Sequence, residues 1–110
     1  MASKTTDNAN EIYYQGTDLK YAVTIEREGF NMDVDPWTIT AVSDTKSIVF
    51  NKIENTVIGE DGQWYLLIDS TLLDNGACYL VIEIDVPDND FPDGLRHEVY
   101  KQKLMTLRRV

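Results

Sequence analysis

"GACYLVIEIDV", residues 76–86, is the most regular stretch of the chain. Cys78, Leu80, Ile82, Ile84 and Val86 fall on one side of an extended backbone, and Tyr79, Val81, Glu83 and Asp85 on the other. Alternation over this length marks a central strand with one buried face. Asp74-Asn75-Gly76 just before it has the composition of a turn.

The same period continues outward from that strand. Leu19, Tyr21, Val23 and Ile25 alternate with Lys20, Ala22, Thr24 and Glu26, and Gly16 before them predicts a turn or bulge. Pro36 lacks a backbone donor, so a ladder is expected to begin after it, with Trp37, Ile39 and Ala41 on one face. "SIVFNKI" follows the short turn 44–46 as a third strand. "NTVIGEDGQWYLLIDS" reads as a hairpin around Gly59 and Gly62, with Trp64, Leu66 and Ile68 facing one way. "LRHEVYKQKLMTLRRV" is a last strand or pair of strands. There Leu95, His97 and Val99 share a face that gives way to Leu104 or Met105, so a bulge or change of partner is expected near residues 101–103. About seven strands and no convincing helix predict an all-β, immunoglobulin-like antiparallel β-sandwich. The competing arrangement is a small barrel, and parallel pairing is not expected without a crossover helix. One domain is expected over residues 13–110, preceded by an extended polar arm, residues 1–12. That arm is too polar to bury itself, so it is expected to contact another polypeptide rather than its own domain.

Charge and composition exclude several functions. The net charge is −9, with 18 acids and 5 bases in residues 1–95 and 5 bases and one acid in residues 96–110. An acidic body lacks the basic face that phosphate binding needs, so no nucleic-acid partner is expected. No signal peptide and no membrane-spanning run is visible, which predicts synthesis and retention in a cytoplasm unless the protein leaves within an assembly. With one cysteine and one histidine, neither an intrachain disulfide nor a structural zinc site is expected, and Cys78 reads as a small buried hydrophobe.

The acidic loop "DVPDNDFPDGLRHEV", residues 85–99, fails as a calcium hand. With Gly94 at the sixth loop position, Phe91 falls on the third and Tyr100 on the twelfth, and neither supplies a carboxylate. It reads instead as a turn fixed by Pro87, Pro92 and Asp93-Gly94, with aspartates accepting from nearby N–H groups. Phe91 is expected to fold back onto the end of the sandwich, with a partner contact as the alternative. His97 has no nucleophile tied to it by spacing, the six glycines form no phosphate loop, and a small sandwich offers little room for a cleft between two acids. Trp37, Trp64 and Tyr65 are candidates for a sugar-stacking platform, but at alternating strand positions tryptophan belongs in the core. No metal, no cofactor and no enzymatic activity are expected.

"YYQGTDLKYAVTI" with Gly16, Thr17 and Asp18, then residues 29–37, "LLDNGACYLVIEI" and "VPDNDFPDGLRHEV" together resemble small immunoglobulin-like domains of phage and prophage virion proteins (tail, baseplate or head decoration) of the type found in Bacteroidales. One departure is that immunoglobulin relatives often place a tyrosine inward after this turn, whereas here Cys78 takes the inward phase. The resemblance implies a structural role in a virion, with other virion subunits as partners in a homo-oligomer or a mixed assembly. Ile12, Tyr13 and Tyr14 at the root of the arm, and Phe91, are the candidate contact residues. The alternative function is a carbohydrate- or receptor-binding module.

Overall fold

The computed structural model describes residues 11–110 together with the backbone of Ser3–Thr5. The strands are β1 (Ser3–Thr5), β2 (Ile12–Tyr14), β3 (Asp18–Ile25), β4 (Trp37–Val42), β5 (Ser47–Phe50), β6 (Thr56–Ile58), β7 (Trp64–Asp69), β8 (Gly76–Pro87) and β9 (Leu95–Arg108). A single 3-10 turn, Ser70–Leu72, is the one helical element among the described residues, and none is long and apolar enough to cross a membrane. The sheets run β1-β3-β7-β6 and β2-β9-β8-β4-β5. With β3 as strand B and β8 as strand F, these are the ABED and GFCC′ sheets of an immunoglobulin-like sandwich, with β2 added beside G.

The alternating residues make the core as expected. Tyr21, Val23 and Ile25, then Leu66 and Ile68, face Ile39, Phe50 and the Cys78, Leu80, Ile82, Ile84, Val86 row across one continuous apolar layer. The cysteine is fully buried, and burial raises its thiol pKa. Its Sγ lies 3.8 Å from the Asp74 carbonyl oxygen, in the place where immunoglobulin domains use a tyrosine hydroxyl to bind upstream backbone. Trp37 and Trp64 are both buried and meet edge to face, centroids 5.3 Å apart at 88°. They join the two sheets directly.

Three expectations need correction. Nine strands stand where about seven were expected, because the N-terminal segment supplies two of its own. The described parts of that segment also lie on their own domain. Ser3–Thr5 pairs antiparallel with β3, and Ile12–Tyr14 pairs with the end of β9; residues 1–2 and 6–10 lie outside the described residues. Polarity of side chains is no obstacle, since an open sheet edge is completed by backbone groups alone. The turn after β2 is held further. Gly16, at φ +105°, donates its N–H to the Oγ of buried Ser70 at 2.8 Å, and Gln15 Nε2 reaches the Leu73 carbonyl at 2.7 Å. Finally, the β2–β9 pair is parallel. No crossover helix is needed, because the whole sandwich is the connection between the two strands.

The bulge falls one residue beyond the expected stretch. Cys78 pairs with Met105 but Tyr79 with Lys103, so Leu104 is the extra residue and both Leu104 and Met105 are buried. Before the bulge the alternation of β9 is reversed from a core strand. Leu95, His97 and Val99 face out, and Arg96, Glu98, Tyr100 and Gln102 face in.

Replacing Trp64 by Ala should cost about 3–5 kcal/mol, by loss of a large buried side chain. A chemical-denaturant melt of that variant indistinguishable from the parent would remove the tryptophan pair from the core.

Candidate functional site

Register gathers three loops at one end. Trp37, the first residue of β4, pairs with Ile84, and Ile39 pairs with both Phe50 and Ile82. The loop entering β4 (26–36), the loop leaving β5 (51–55) and the loop leaving β8 (88–94) therefore emerge side by side. Each carries an apolar residue outward: Val34 is 74% exposed, Ile53 90% and Phe91 43%.

Local hydrogen bonds fix each tip. In the first loop, Asn31 N–H donates to Asp35 at 2.8 Å and Asp33 N–H to the Asn31 side chain at 2.9 Å. The two indoles anchor this loop from below: Trp37 Nε1 donates to the Met32 carbonyl at 3.0 Å and Trp64 Nε1 to Asp33 Oδ1 at 2.8 Å. In the second loop, Asn51 Oδ1 accepts from the N–H groups of Ile53 and Glu54, at 3.0 and 2.9 Å. Asn55 closes it in the left-handed region, φ +59°, with its side chain donating to the Val49 carbonyl. In the third, Asp88 Oδ1 accepts from Asp90 N–H and Asp93 Oδ1 from Leu95 N–H, each at 3.0 Å. These are the turn-forming bonds expected of aspartate. A shallow recess lined by Pro36, Trp37, Asn51, Lys52 and Ile53 lies between the first two tips.

Carboxylates surround the tips. Glu26, Glu28, Asp33, Glu54, Asp90 and Asp93 are all exposed, while two of the arginines here are already paired. Arg27, just past β3, grips Glu98 of β9 with two bonds, 2.8 and 2.9 Å, across the sheets. Arg96 bonds Asp88 at 2.9 Å and Glu98 at 3.2 Å. Tyr100 Oη adds a 2.6 Å bond to Glu98. Arg27 first and Tyr100 second push the Glu98 carboxyl down to about 2. Polar residues can face inward on this half of β9 because the network satisfies them. His97, on the outer face, lies 2.9 Å from Asp85 and 3.4 Å from Glu83, which raise its pKa in that order.

The residues singled out in the sequence are not brought together. Ile12 and Tyr14 are exposed on β2, at the far end of β9 from Phe91, roughly 35 Å away at ~3.4 Å per strand residue. Tyr13 turns inward against the core, and its hydroxyl donates to Glu11, which pushes the phenol up to about 12. Phe91 stays 43% exposed rather than folding back, at the end of the sandwich that also exposes Val34 and Ile53, two residues with no assigned role in the sequence. Their signal was present: a β-branched apolar residue in the middle of an Asn/Asp turn, "NMDVDP" and "NKIEN". The tryptophans form no platform.

Glu98→Gln should lower stability by about 2 kcal/mol near neutral pH, the scale of charge-assisted hydrogen bonds. Because the folded carboxyl sits near 2 and an ordinary one near 4.5, its contribution is complete above about 4.5 and is lost as pH falls toward 2. Thermal melts should show the gap between variant and parent closing over that window; a gap independent of pH refutes the assignment. Calcium should leave the melting temperature within about a degree at millimolar concentration, since Asp88 and Asp93 already serve the turn. A calorimetric titration giving sub-micromolar affinity would overturn that reading of the loop.

The chain matches no protein-family model, no curated protein and no solved structure.

Proposed function

We propose that the chain is a non-enzymatic structural protein of a phage or prophage virion, part of a tail, baseplate or capsid surface. It is made in the host bacterial cytoplasm and carried in the particle, and it binds a neighbouring subunit through the loop end. The observation that carries this reading is the set of three apolar tips, Val34, Ile53 and Phe91, each held outward by its own turn. Apolar residues clustered at one end and exposed to water are what a protein contact covers. The rest of the reading comes from the resemblance to virion immunoglobulin-like domains. A carbohydrate- or receptor-binding role is less well supported, because the indoles that would stack on a sugar are buried.

Virions purified from the bacterium that encodes the protein should contain it in fixed stoichiometry to the major structural proteins, as measured by quantitative mass spectrometry. The combined variant Val34→Ser, Ile53→Ser, Phe91→Ser should be incorporated at least about tenfold less while its melting temperature stays within a few degrees, since surface substitutions cost little. Particles lacking the parent protein, or holding the variant at the parent level, would end this proposal.

A further inference from the structure

The outer face of the five-stranded sheet carries a pattern that the loop end does not use. Val49 of β5, Thr40 of β4, Val81 of β8 and Lys101 of β9 stand in one row across the strands. Val99 and Glu83 pair in the next row, and Tyr79 and Lys103 in the row on the other side. Val49 and Val99 are 43% and 56% exposed. Charge is sorted along the strands: Glu83 and Asp85, with His97 bonded to both, lie toward the loop end, and Lys101 and Lys103 toward the opposite end; the valines fall in the two middle rows, Val99 beside Glu83 and Val81 and Val49 in the row of Lys101. Lys101 rests over the Tyr79 ring at 4.8 Å, extending the apolar middle.

We infer that this face binds a second copy of the chain, with the strands of the two copies running in opposite directions about a two-fold axis that lies across them. That operation sets the Lys101 and Lys103 rows of each copy over the Glu83 and Asp85 rows of the other; each strand lies over its own counterpart, so Val99 comes over Lys101 and Val81 over Glu83 of the second copy, with Val99 and the second copy's Val81 on neighbouring strands at the centre. Strands running the same way would set like charge on like charge. A two-fold contact uses one patch twice, so a patch with both signs in separate halves is what it requires. The five strands, of 3, 14, 12, 6 and 4 residues, present ~640 Å² per copy at ~4.8 Å strand spacing and ~3.4 Å per residue, somewhat under the ~800 Å² of a standard interface. The outer face of the other sheet has no such sorting: Asp18 and Asp69 are direct register partners there. The dimer leaves the loop end free, so it stands whether or not the loops bind a virion subunit.

Sedimentation velocity on the purified full chain tests this. Between about 1 and 500 µM, a species of twice the chain's mass should appear and should weaken as sodium chloride rises from 50 to 500 mM. The pair Lys101→Glu, Lys103→Glu and the pair Glu83→Lys, Asp85→Lys should each raise the dimer dissociation constant at least about tenfold. An equimolar mixture of the two should restore association. Circular dichroism melts establish folding, and Val99→Asp, at an exposed position, provides a second disruption should a double variant not fold. A parent chain that stays monomeric at 500 µM overturns the inference. So does a dimer indifferent to all three changes, or a mixture that fails to recover association.

Discussion

The contact between Trp37 and Trp64 sets the geometry of the loop end. One indole comes from each sheet, and the edge-to-face approach fixes how closely the sheets lie there. Such a pair contributes about 0.5–1.5 kcal/mol beyond its area, but its larger effect is positional. Both indole N–H groups leave the core toward consecutive residues, Met32 and Asp33. The loop 26–36 is thereby fastened to both sheets at once. Arg27 and Glu98 repeat the tie a short distance away with charge instead of rings. The tip at Val34 is thus held from beneath by both sheets.

The acid excess has a different meaning once the bonds are known. Asp69 caps the 3-10 turn through Thr71. Asp74 accepts from Ser43 and from both the N–H and the hydroxyl of Thr45, tying the turn between β4 and β5 to the corner before β8. These bonds lower the carboxyl pKa values of both. In the last loop Asp88 and Asp93 likewise accept backbone N–H bonds. A chain of short strands needs many turns, and turns take Asp and Asn. Much of the negative charge is a by-product of that architecture; Glu26, Glu28, Asp33, Glu54, Asp90 and Asp93 stand exposed around the three tips, while Asp18, Asp44, Glu60 and Asp61 are exposed elsewhere.

The core was legible because strand burial writes a period of two into the sequence. Residues 78–86, 19–25 and 64–68 all carried it, and Pro36 marked the start of β4. The N-terminal pairing was not legible, since a strand that completes an edge through its backbone needs no apolar pattern; "SKT" carries none. The first half of β9 misleads for the opposite reason. Leu95 and Val99 look like a core row, but the inward row is Glu98 and Tyr100; Tyr100 donates to Glu98, and Glu98 is also held by Arg27 and Arg96, 71 and 2 residues away. Short-range pattern cannot see the Arg27 partnership. Val34 and Ile53 were visible as residues but not as a group, because only register shows that their loops share an end.

The parallel pairing of β2 with β9 has a mechanical consequence. Ile12 begins β2 and Arg108 ends β9, and these two strands lie side by side pointing the same way. Tension drawn between those points pulls β2 backward and β9 forward along their common axis. The bonds joining them, Thr106 N–H to Glu11 and Gln15 N–H to Arg108 among them, are then strained together in shear, not opened one after another as in peeling. A domain carried in tandem or at the rim of a particle resists stretching best in that geometry, and here three residues of edge strand are enough to provide it.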